Sequence, residues 1–93
     1  MAAVSTQLFE DESESALYAA YERVEKKVTL AVETGKYDRA LKDIASLRKP
    51  VDGFFDGVMV MAKDAKVRKN RLSLLRHVAA LFERLADFSK IST

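Results

Sequence analysis

Ninety-three residues, 48% of them hydrophobic and 32% charged, describe one small globular domain and exclude a disordered chain. Cysteine is absent, which excludes a disulfide framework and thiolate chemistry. The net charge of +2 conceals a gradient: residues 1–34 carry three basic and seven acidic side chains, and residues 35–93 carry thirteen and seven, so the later part can turn a basic face to a polyanion.

Residues 1–12 read as a flexible N-terminal segment and 13–93 as a single helical domain. Residues 1–11 show neither the basic start nor the apolar stretch of a secretory leader. No apolar run exceeds six residues, and 58–62 and 78–82 hold five each. A membrane span needs ~20, so no membrane partner is expected. In the first helix, over about 13–34, Leu17, Tyr21, Val24, Val28 and Ala31/Val32 recur at three- and four-residue steps. Asp11 and Glu14 have the spacing of a capping box, with Ser13 as an alternative cap. Gly35 suits a left-handed helix stop.

A second helix, about 37–48, carries the stripe Tyr37, Ala40, Leu41, Ile44 and Leu47. Pro50 should end it and push Lys49 out of the helical region. A third helix, about 51–62, starts at that proline and shows Val51, Phe54, Phe55, Val58, Met61 and Ala62 on a broad apolar face. Gly53 and Gly57 lie four apart within it, which means either a close helix approach or tolerance on an exposed face. A last helix, about 70–90 or starting near Val67, buries Leu74, Leu75, Val78, Leu81, Phe82, Leu85 and Phe88, with Asn70 as candidate N-cap. Short links between helices predict roughly antiparallel neighbours and an all-α, compact bundle of about four helices.

Catalytic chemistry finds little footing. His77 is the one histidine, with no second His or Cys to build a metal site beside it, and packing or hydrogen bonding explains it better. Gly35, Gly53 and Gly57 match no phosphate loop. The pairs Asp52/Asp56 and Glu83/Asp87 read as solvated charges. No catalytic residue and no metal ligand is expected. By contrast Lys63, Lys66, Arg68, Lys69, Arg71 and Arg76 face only Asp64 over fourteen residues, at a loop and the start of a helix. Such a cluster suits phosphate contacts, and the arginine planes could also stack on bases. Arg71 has an alternative as an internal partner of Asp52 or Asp56.

Gly35-Lys36-Tyr37-Asp38-Arg39-Ala40-Leu41 looks like a tetratricopeptide junction, but nothing about 34 residues on restates it, so a solenoid is disfavoured. A different set of combinations is more specific. Leu8-Phe9-Glu10 and Ala16-Leu17 come first, then Gly35-x-Tyr37-x-x-Ala40-Leu41. Leu47-Arg48-x-Pro50-Val51-Asp52-x-Phe54-Phe55-Asp56-x-Val58-Met59-Val60-Met61 follows. Asn70-Arg71-Leu72 with Leu74-Leu75, and Leu81-Phe82-x-x-Leu85-Ala86-Asp87, complete it. In this order and spacing they resemble the C-terminal segment of the beta subunit of heterotetrameric, bacterial-type glycyl-tRNA synthetase. Gly57 departs from that family's usual larger polar residue.

The resemblance implies an anticodon-binding-like helical domain, similar to that of class I synthetases. It implies tRNA(Gly), the remainder of the beta subunit and the alpha subunit as partners. This segment would be non-catalytic and hold no cofactor of its own, within a parent ligase that uses ATP and Mg2+. The implied setting is the bacterial cytoplasm, or an organellar stroma or matrix. The alternative is a helical protein-interaction or intersubunit packing module without RNA contact.

Overall fold

The computed structural model describes residues 3–91, the side chains of 88–91 apart. A 3-10 turn at Thr6–Leu8 precedes α1 (Glu12–Glu33), α2 (Tyr37–Ala45), α3 (Arg48–Gly57) and α4 (Ala65–Ile91). Among the described residues there is no strand, as the periodicity predicts.

Local chemistry sets the ends of α1. Asp11 caps it, accepting from the Ser13 N–H at 2.9 Å, and Glu14 Oε1 reaches back to the Asp11 N–H at 3.0 Å, completing the capping box. At the far end Gly35 takes φ +72°. There Lys36 N–H donates to the Ala31 carbonyl and Gly35 N–H to that of Val32, the paired bonds of a Schellman motif.

α2 and α3 are one descending limb broken at Ser46 and Leu47. Pro50 has no N–H for the Ser46 carbonyl, so the α2 ladder cannot run through it. Leu47 N–H closes α2 with a short bond to Ile44 O, and Val51 N–H resumes the ladder on Leu47 O. Pro50 thus sits in the first turn of α3, and Lys49, expected outside the helix, is inside it. The two helices therefore continue one another instead of folding back, a departure from the antiparallel expectation for neighbours.

Contacts between α1 and α4 advance in the same direction along both: Glu14 meets Arg71, Tyr21 meets His77, and Glu25 meets Arg84. The two helices run parallel, with the α2–α3 limb antiparallel to α1. The core between them is Leu17, Ala20, Val24, Val28 and Ala31 from α1, with Ala40, Ile44, Leu47 and Phe54 from the limb. Leu74, Val78, Leu81 and Leu85 of α4 close it. Leu41, Phe55 and Phe82, expected on buried faces, are exposed, and Phe88 falls outside the described side chains.

α3 ends at Gly57, five residues before the expected limit, because Val58 turns extended (φ −134°, ψ 152°). A Cβ on Gly57 would stand 2.7 Å from Ser13 Oγ and 2.9 Å from Asp11 Oδ2, whereas one on Gly53 would meet nothing within 4 Å. Of the two meanings open for this pair, close approach applies to Gly57 and exposed tolerance to Gly53. One pole of the molecule therefore gathers the start of α1, the end of α3 and the start of α4.

Candidate functional site

Loop 58–64 crosses that pole, and α4 holds it from beneath. Arg71 Nη1 donates to the Met59 carbonyl at 2.7 Å, and Arg68 Nη1 to the Ala62 carbonyl at 3.2 Å. Asp64 stops the loop by capping α4: its carboxylate accepts from the Lys66 N–H at 2.8 Å. The cap is thus Asp64 instead of Asn70, and α4 begins earlier than expected.

Arg71 is an interior residue, its side chain only 7% exposed. Nη2 pairs with Glu14 Oε1 at 3.2 Å and more loosely with Glu10 Oε1 at 3.4 Å. Glu14 is fully buried, and the same oxygen accepts the Glu10 and Asp11 N–H groups. Glu14 Oε2 and Arg71 Nε have no protein partner, so the pair is joined through one oxygen. Its counterpart is neither Asp52, which pairs with Arg48 at 3.9 Å, nor Asp56. The capping-box spacing pointed to Glu14, but only as a cap; its link to Arg71 spans 57 positions and left no local signal.

Asn70 is likewise buried. It accepts from the Ser5 N–H at 2.7 Å and donates to the Ser5 carbonyl at 2.8 Å. Residues 5–10, part of the segment expected to be flexible, are held to α4 by this pair and by the Glu10–Arg71 contact. Phe9, Tyr18, Tyr21 and His77 continue inward as successive ring contacts 5.8–6.4 Å apart. His77 Nδ1 lies 2.7 Å from Ser73 O, a carbonyl that can only accept, so Nδ1 carries the proton.

The remaining cations behave differently. Lys63, Lys66, Lys69 and Arg76 are exposed, and none forms an ion pair among the described residues. The loop itself displays Met59, 72% exposed, and Met61, 63% exposed. Of the six cations singled out from the sequence, four thus remain free, Arg68 is half-buried on the loop and Arg71 is internal. At the opposite pole, about 30 Å away along α1, Lys27, Lys36, Arg39 and Lys42 border a shallow depression beside Leu30. No spacing in the chain marks that group, because it joins α1 to α2 across the Gly35 turn. No group of His, Asp and Glu among the described residues could hold a metal ion. No helix there is long and apolar enough to cross a membrane.

Comparison with known proteins gives a consistent result. Residues 2–93 match the family described as the DALR anticodon binding domain. The chain is 51% identical over 89 residues to a protein named glycine–tRNA ligase beta subunit from Citrifermentans bemidjiense. It is 51% identical over 87 residues to the protein of that name from Desulforudis audaxviator, and 44% over 89 residues to that from Neisseria gonorrhoeae. These alignments cover 94–96% of this chain and 13% of each relative, so the chain spans about an eighth of their length. No solved structure matches it.

Proposed function

Because this chain belongs to the DALR anticodon binding domain family, we propose that it binds the anticodon arm of tRNA(Gly) as one domain of a glycine–tRNA ligase beta subunit. The observation that carries the reading is the free cation cluster of the α3–α4 pole. Three acids at that pole are already engaged: Glu10 and Glu14 face Arg71, and Asp64 caps α4, while Glu12 and Asp56 lie exposed and pair with none of the lysines. Lys63, Lys66 and Lys69 face solvent without an ion-pair partner among the described residues. Such lysines bind phosphates by displacing condensed counterions, and the affinity falls steeply with salt.

In this reading the domain contributes position, not chemistry. It holds the distal end of the tRNA while other parts of the beta subunit and the alpha subunit, using ATP and Mg2+, attach glycine. The setting is the cytoplasm of a bacterium or the equivalent organellar compartment. One observation favours a second reading. Phe82 is exposed beside Ile44, Val51 and Arg48, a shallow apolar strip that suits packing against the remainder of a longer subunit.

The test is titration of the chain with tRNA(Gly), and with the same tRNA carrying a swapped anticodon, at two salt concentrations. Preference for the native anticodon that survives the higher salt supports anticodon recognition. Changing Lys63, Lys66 and Lys69 together to Ala should weaken binding to all RNAs and lower the salt slope by about 2–3, whereas changing Lys36 and Lys42 should not. Equal, salt-labile binding to both tRNAs reduces the site to a basic surface, and no binding transfers the function to the packing reading.

A further inference from the structure

The two loop methionines sit where an RNA-binding surface needs apolar faces. Loop 58–64 is short and is fixed at two carbonyls, Met59 by Arg71 and Ala62 by Arg68, so its side chains project from a fixed backbone. Val58 and Val60 are partly buried against the core, which turns the alternating Met59 and Met61 outward. The two thioethers make a small exposed apolar spot on a fixed backbone, open to a ligand. Their surroundings decide which one. Lys63 lies on the loop itself, and Lys66 and Lys69 follow in the first turns of α4, on the side that faces Ser5 and Leu8; lysine is depleted where one protein surface packs on another. An apolar spot edged by unpaired cations is complementary to a strand whose phosphates and unpaired bases alternate.

Resting on the RNA-binding reading above, we propose that Met59 and Met61 form a platform for the faces of unpaired bases, and that buried Arg71 is a positioning residue that holds this platform in place. A thioether is polarizable and packs on aromatic faces, but it offers no strong donor or acceptor. The platform therefore contributes affinity for unpaired nucleotides without reading their identity. The loop carbonyls at Met59 and Ala62 are already occupied by guanidinium groups, so they do not read base edges either. Arg71 acts through Met59: its fork reaches the loop carbonyl on one side and Glu14 on the other, which a single ammonium cannot reproduce.

The experiment measures affinity of the 93-residue chain for two RNAs, a stem-loop with the anticodon-arm sequence of tRNA(Gly) and a blunt duplex of equal charge. Met59→Ala with Met61→Ala removes mostly exposed atoms and should leave the fold intact. It should weaken stem-loop binding about tenfold, leave the duplex and the salt slope unchanged, and act equally on stem-loops of different loop sequence. Arg71→Lys, measured well below its melting temperature, should give the same selective loss and add nothing on top of the methionine pair. A methionine variant that binds the stem-loop as wild type does, or loses equally on the duplex, overturns the platform while the RNA-binding reading stands. Failure of the unaltered chain to bind either RNA overturns both.

Discussion

Replacing Arg71 with methionine tests how much of this fold depends on one buried ion pair. Met keeps most of the apolar stem and so limits the cavity, and the loss then reports the guanidinium. Without it, the Glu14 carboxylate stays fully buried with only the Glu10 and Asp11 N–H groups as donors, and the Met59 carbonyl loses its 2.7 Å partner. Removing one member of a buried pair costs about 3–5 kcal/mol, because the other charge remains out of water. A domain of this size has roughly 5–15 kcal/mol in total, so its melting midpoint should fall by roughly 20 °C. Thermal unfolding followed by circular dichroism at neutral pH reads this directly. Adding Glu14→Gln removes the stranded charge but keeps an oxygen to accept the two backbone N–H groups. The double variant should therefore recover about 1–3 kcal/mol over Arg71→Met alone. A shift below about 0.5 kcal/mol for Arg71→Met, or no recovery with Glu14→Gln, would refute the argument that an internal charge pair holds this pole.

The two α3 glycines should respond oppositely to alanine. Gly53→Ala should stabilise by about 1 kcal/mol in urea denaturation, since its site is open and helical. Gly57→Ala should destabilise by about 1 kcal/mol, since the new Cβ displaces Ser13 or Asp11 and breaks the α1 cap. Asn70→Ala should cost about 1–2 kcal/mol and release the N-terminal segment, visible as faster amide exchange at residues 5–9 while α4 stays protected. Hydrogen bonds from the Ser13 hydroxyl and N–H, with a smaller contribution from Arg71, hold the Asp11 carboxyl below its ordinary range. A carboxyl that ionises more readily in the folded state adds stability above about pH 4 and loses it as the pH falls through its lowered value. Asp11→Asn should therefore flatten the acid limb of stability below about pH 4, and an unchanged limb would remove Asp11 from the acid response.

Features set within a few residues were legible before folding. The Asp11–Glu14 spacing, the left-handed Gly35 and the helical stripes of α1 and α4 each act over one or two turns, and the structure contains the first two and most of the stripes, Phe82 being exposed. The end of α3 was not legible, because Val58-Met59-Val60-Met61 continues an apolar run whose helical or extended state its own residues do not decide. The deciding contact, from Arg71 to the Met59 carbonyl, comes from 12 positions away. Asn70 misled for the same reason: its side chain suits a helix cap, but its partner is Ser5, 65 positions distant.

The six cations make the limit of sequence reading concrete. In the chain they are equivalent charges with one acid among them, and counting cannot rank them. Folding ranks them by what each can reach. The two arginines nearest the loop carry planar, multi-donor heads that satisfy carbonyls and a buried carboxylate, so they are drawn inward. The lysines, compact and strongly hydrated, remain in water, and with Arg76 they make up the charge that is available to a ligand. Arginine, the better residue for phosphate recognition, therefore builds the scaffold of this pole, and lysine supplies most of its surface charge. Such a surface should bind RNA more as an array of point charges than through paired hydrogen bonds, with affinity that follows salt closely and sequence weakly. Any discrimination among anticodons must then come from groups other than these cations.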